Sequence, residues 1–212
     1  MLLQNQADKR LSPFKLLKHP FITRYQKIAP PLEENYKQYI IEKMFKYHTL
    51  SSLVRLIRNL IISSGLAKQE EPYLYHFFDT LDRDKDGRIC FNELQIQLWQ
   101  VYESSYKDKV NFNKIFTKVD MDKDGYLGFT EFRASILESS VFKDREICLN
   151  IFSFIDKNKD GKITKEDLEH LFVDNYGIIN SGLKSIFEGF NKIKANQLEK
   201  EEFINYLQKM AD

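Results

Sequence analysis

Three stretches of this chain place oxygen-bearing side chains at a spacing that suits a hard divalent cation. The first carries Asp82, Asp84, Asp86 and Glu93, the second Asp120, Asp122, Asp124 and Glu131, and the third Asp156, Asn158, Asp160 and Asp167. In each, the oxygen donors occupy positions 1, 3, 5 and 12 of a loop whose sixth residue is glycine: Gly87, Gly125 and Gly161. Calcium takes about six to eight oxygens, and a chain wrapped around it supplies them from those positions and from the main-chain carbonyl at position 7. That carbonyl belongs to Arg88, Tyr126 and Lys162. Position 9 is Cys90, Gly128 or Thr164, so water is expected in that coordination place in at least the first two loops. A surface turn would also explain Asp next to Gly. It would need neither the acid at position 12 nor the apolar residue at position 8, which is Ile89, Leu127 or Ile163.

The three loops are not equal. Asp167 is one methylene shorter than the Glu of the other two loops and reaches an ion less readily with both oxygens. The third loop is therefore expected to hold calcium more weakly and to accept the smaller Mg²⁺. A fourth copy begins at Asn191, but Ile193 and Ala195 offer no side-chain oxygen at positions 3 and 5. Despite Glu199, Glu201 and Glu202, it is expected to be an ion-free structural partner. The count is thus three calcium ions, with magnesium an option at the third loop.

The elements that hold these loops repeat with them. Phe78, Phe116, Phe152 and Phe187 each stand four residues ahead of a loop; Leu81, Val119, Ile155 and Phe190 stand just before one, and Leu94, Phe132, Leu168 and Phe203 just after. Apolar residues one turn apart on flanking helices face a common core. A single helix–loop–helix unit cannot bury that face alone. The expected fold is all-α, with units one and two forming one EF-hand lobe (67–138) and units three and four a second (139–212). Ahead of them, 33–47 and 51–64 read as helices. Pro30 and Pro31 open the first, Ser51 or Ser52 caps the second, and Gly65 follows its end. Leu53, Leu56, Ile57, Leu60 and Ile61 recur at helical spacing with Arg55 and Arg58 among them, making a basic amphipathic helix. It suits the grip of a calcium-opened lobe; a plainer reading makes it a core helix of the first lobe.

Charge is divided unevenly. Residues 1–66 hold 11 Lys/Arg against 4 Asp/Glu, whereas the whole chain has 32 against 31. A basic first third joined to an acidic remainder implies mutual attraction or a shared partner. The basic residues are interleaved with helix-period apolar ones, which argues against nucleic acid as that partner. No stretch is long and apolar enough to span a membrane. The two cysteines, Cys90 and Cys148, stand far apart, and Met1–Asn5 lacks a leader's layout, so a reducing cytoplasmic compartment is expected. Cys148 lies on an apolar helix face and is expected in a core.

The segment Arg10-Leu11-Ser12-Pro13-Phe14 through Leu17-Lys18-His19-Pro20-Phe21-Ile22 is similar to the closing helix of a protein kinase catalytic domain. Followed by basic junction helices and four EF-hand repeats, it resembles the calcium-dependent protein kinases of plants and protists. The resemblance implies that 1–24 is the end of a kinase lobe and 25–66 an autoinhibitory junction. It further implies that calcium drives the EF-hand region to draw the junction away from the kinase domain, which would be its partner in cis. No glycine-rich phosphate loop, His-Arg-Asp or Asp-Phe-Gly is present, so this chain itself is expected not to be an enzyme. A free-standing calcium sensor with a separate target helix and a calcium buffer remain open beside the kinase regulator, as does the oligomeric state.

Overall fold

The computed structural model describes residues 34–67, 72–101, 111–176 and 197–211. The kinase-like segment 1–24, Phe187, Phe190 and the first half of the fourth loop lie outside them. The described residues contain nine α-helices: α1 (Glu34–Thr49), α2 (Ser52–Ser63), α3 (Pro72–Leu81), α4 (Phe91–Val101), α5 (Phe112–Val119), α6 (Phe129–Ile136), α7 (Arg145–Ile155), α8 (Lys165–Tyr176) and α9 (Lys200–Gln208). A short 3₁₀ turn, Ser139–Lys143, joins α6 to α7. The expected all-α class is what the chain adopts.

Strands are confined to the loops. Ile89–Cys90 (β1) pairs antiparallel with Tyr126–Leu127 (β2), with Ile89 opposite Leu127. Lys162–Thr164 (β3) pairs likewise with Gln197–Glu199 (β4), with Ile163 opposite Leu198. These are the four position-8 residues, all buried. Each ribbon ties two helix–loop–helix units together, and the fourth repeat supplies its strand as the other three do.

Two cores result. In one, Phe77, Phe78, Phe116 and Phe132 pack with Ile89 and Leu127; the Phe78 and Phe132 rings meet edge to face at 5.5 Å. In the other, Phe152 meets Phe203 at 5.7 Å among Ile155, Ile163, Leu168 and Leu198. Cys148 is fully buried there, as its place on an apolar face predicts.

The junction helices depart from the simpler expectation. Ile40, Ile41, Met44 and Tyr47 of α1 belong to the first core. Leu53, Leu56, Ile57, Leu60 and Ile61 of α2 belong to the second, not the first. Helix α2 also packs across α6 of the first lobe, so every residue from Leu53 to Ile62 is buried. Its two arginines are covered as well, 6% and 5% exposed, where the sequence pattern alone would put them on a polar face. Their hydrogen bonds run to neutral groups. Arg55 donates to Leu50 O and Ser52 Oγ, and Arg58 to Leu137 O at 2.8 Å and Ser139 Oγ at 2.7 Å. Leu137 O lies at the C-terminal end of α6, where a cation is favoured by the helix dipole. Burial lowers the pKa of both guanidinium groups; Tyr47 opposes the shift at both, and Glu138 opposes it further at Arg58.

The ends of α2 follow from its sequence. Ser51 caps it by accepting from Val54 N, and Gly65 turns the chain away at φ +71°, where a side chain would be strained.

Candidate metal centre

Each of the three 12-residue loops begins where a helix runs out. The N–H groups of Asp82, Asp120 and Asp156 close the last turns of α3, α5 and α7 by donating to Phe78, Phe116 and Phe152. The three residues are buried, while positions 3 and 5 face solvent. In the first loop Asp82 accepts from Asp86 N at 3.2 Å and from Gly87 N at 2.9 Å, Asp84 from Asp86 N, and Asp86 from Arg88 N. The second and third loops reproduce most of this pattern around Asp120 and Asp156. These bonds draw the carboxylates inward. Oxygens of Asp82, Asp84 and Asp86 lie within 4.8 Å of one another, and so do those of Asp120, Asp122 and Asp124.

The expected glycine bend is present, with φ of +87°, +87° and +85° at Gly87, Gly125 and Gly161. Each loop also holds a second left-handed residue, which its type does not mark in the sequence. Lys85, Lys123 and Lys159, at position 4, have φ near +60°. Nothing in a lysine announces this conformation, which is sparsely populated for residues with a Cβ.

Position 12 closes the first two loops from the far side. Glu93 accepts from Arg83 N at 2.8 Å with one oxygen and from Cys90 N at 2.8 Å with the other. Glu131 does the same with Met121 N at 2.6 Å and Gly128 N at 2.9 Å. Asp167 does not span its loop in this way: one of its oxygens takes both the N–H and the hydroxyl of Thr164. The N–H of Lys157, the counterpart of Arg83 and Met121, donates to Ile155 O instead. The missing methylene is thus visible as a missing reach. In the fourth repeat, Glu202 accepts from Glu199 N at 3.1 Å; Asn191, Ile193 and Ala195 lie outside the described residues.

Electrostatics separate the first two loops. Burial pushes the Glu131 carboxyl up to about 7, against the bonds from Gly128 and Met121, and nearby Asp122 and Asp120 add to the rise. Burial raises Asp120 too. At Glu93 burial also acts upward, but the bonds from Cys90, Arg83 and Asp84 outweigh it and hold the group below its usual range. Glu131 stands in the first turn of α6, the helix that α2 covers. One oxygen of Asp120 is buried with no hydrogen-bond partner. A buried, unsatisfied carboxylate oxygen is costly, and a cation in the loop would relieve it. In the first two loops the side-chain donors are clustered, negatively charged carboxylate oxygens, which fits calcium.

Comparisons with known proteins agree with this geometry. The family model described as an EF-hand domain pair matches residues 71–137, and the one described as EF hand matches 149–173. The chain is 23% identical to calcium-dependent protein kinase 22 of Arabidopsis thaliana, over 95% of this chain and 39% of that protein. It is 26% identical to calcium-dependent protein kinase 5 of Plasmodium falciparum, over 96% and 35%, and 24% identical to calcium-dependent protein kinase 10 of Arabidopsis thaliana, over 100% and 38%. A crystal structure of a C-terminal domain matches 94% of this chain at 23% identity and a TM-score of 0.29. The chain spans little more than a third of the curated relatives it matches.

Proposed function

We propose, from the premise that this chain is an EF-hand calcium-binding region homologous to the regulatory regions of calcium-dependent protein kinases, that it is a calcium-operated switch for a Ser/Thr kinase domain. In this reading 1–24 closes the kinase lobe and 25–66 is the autoinhibitory junction. The ligands are Asp82, Asp84, Asp86, the Arg88 carbonyl and Glu93; Asp120, Asp122, Asp124, the Tyr126 carbonyl and Glu131; and, more weakly, Asp156, Asn158, Asp160, the Lys162 carbonyl and Asp167. Three ions bind, the third in competition with Mg²⁺. Calcium supplies positive charge to carboxylates that otherwise repel one another.

The observation that carries the switch is the burial of α1 in the first core and of α2 between the second core and α6 of the first lobe. A buffer needs no such helices, and an EF-hand lobe that reshapes its core on binding calcium must act on whatever helix that core holds. Glu131 belongs both to the second loop and to the helix that α2 covers, so a change at that carboxylate reaches α2 through α6.

The test is amide hydrogen exchange along α2 in the full chain, with and without calcium, for the parent and for Glu131→Gln. Calcium should change exchange at Leu53–Ile62 by at least tenfold, and Glu131→Gln should suppress most of that change while lowering affinity at the second loop. Identical α2 exchange in both states, with calcium bound, would favour the buffer and refute the switch.

A further inference from the structure

Position 7 of each loop lends its carbonyl to the ion, which leaves the side chains of Arg88 and Tyr126 available for another task. The Arg88 guanidinium lies 4.1 Å from the centre of the Tyr126 ring. It also stands 3.5 Å from Asp86 and 3.9 Å from Asp124. These two aspartates hold position 5 of the first and second loops. One side chain therefore touches a ligand carboxylate in each loop and the ring of the other loop's position-7 residue, beside the ribbon where Cys90 pairs with Tyr126.

We propose that Arg88 is a positioning residue that couples the first two calcium sites, using its side chain as a clasp between residues 88 and 126. The proposal rests on the calcium reading above. Both main-chain carbonyls at the ends of the clasp are ligands, so ordering residue 88 for one ion leaves residue 126 with less freedom to lose for the other. Such shared ordering produces positive cooperativity without a change of fold. The charge of Arg88 works in the other direction. A cation beside two ligand carboxylates offsets part of their pull on an incoming ion, and so lowers the intrinsic affinity of each loop. Both effects are moderate, because the guanidinium and the two aspartates are roughly half exposed.

Calcium titration of the full chain by calorimetry separates the two effects. Arg88→Gln should raise the first binding constant about threefold while lowering the cooperativity of the first pair about fivefold, a size set by one exposed cation–π contact plus exposed ion pairs. Tyr126→Val, which keeps the strand and the charge, should lower cooperativity by a similar factor and leave the first constant within twofold. A first constant that rises in one variant and holds in the other, with cooperativity lost in both, is what general damage to the lobe would not produce. A second readout needs no metal: in calcium-free protein the Arg88 Nε–H should resonate upfield from the Tyr126 ring, and the shift should vanish in Tyr126→Val.

Full calcium stoichiometry with unchanged cooperativity in both variants would overturn the clasp alone, as would an unshifted Arg88 Nε–H. A parent chain that binds no calcium in these loops would overturn the calcium reading and the clasp together.

Discussion

Replacing Asp167 by Glu should convert the third loop into a site like the first two. The structure shows what the native residue lacks: Asp167 bonds only to Thr164 nearby, whereas Glu93 and Glu131 span their loops to Arg83 N and Met121 N. One added methylene restores that reach, freeing Lys157 N from Ile155 O and bringing a second carboxylate oxygen toward the ion. A hydrogen bond to a charged acceptor contributes roughly 1.5–3 kcal/mol. At about 1.4 kcal/mol per factor of ten, the affinity gain is roughly ten- to a hundredfold. Asp167 is 5% exposed and the two glutamates are 8% exposed, so the longer side chain meets the degree of cover its counterparts already tolerate. Calorimetry with and without millimolar Mg²⁺ provides the assay. The native third site should weaken when magnesium is present, and the Asp167→Glu site should be tighter and almost indifferent to it. Equal calcium affinity in parent and variant, or equal sensitivity to magnesium, would refute the argument from reach.

Two further outcomes follow from the cores and from the carboxylates. Ile57→Ala removes a fully buried side chain from the second core and should cost about 2–5 kcal/mol there. Hydrogen exchange should show the loss chiefly in α7 to α9, with the β1–β2 ribbon far less affected. In calcium-free protein, Glu131 is raised above its unfolded value, so its protonated form favours the fold at low pH. The stability it contributes is whole below about pH 4.5 and lost as pH rises through about 7. Thermal melts in chelator should therefore show a fall across that window that is absent in Glu131→Gln, and saturating calcium should remove it in the parent.

The parts of this fold that repeat were legible in the sequence. Position-8 residues pair across ribbons, flanking Phe residues meet in the cores, and Ser51 and Gly65 bound α2, because each depends on local spacing and residue type. The choice of lobe for α2 was not legible. Its apolar stripe fits either core, and only the three-dimensional arrangement decides that it fills the second while leaning on α6. The burial of Arg55 and Arg58 follows from the same arrangement, since their partners at Leu137 and Ser139 lie far along the chain. The left-handed lysines at position 4 left no mark either, because the loop's other bonds impose that backbone on an indifferent residue.

Leu50 packs against both cores, and only Leu50 and Ser51 separate the end of α1 from the start of α2. The three residue steps from Thr49 to Ser52 span at most about 11 Å when extended. The junction is therefore a tether of fixed length strung between the lobes. Any separation of the lobes beyond that length must pull α1 out of the first core, pull α2 out of the second, or unwind a helix end. The travel allowed to this region is thus limited by a two-residue link outside every calcium loop.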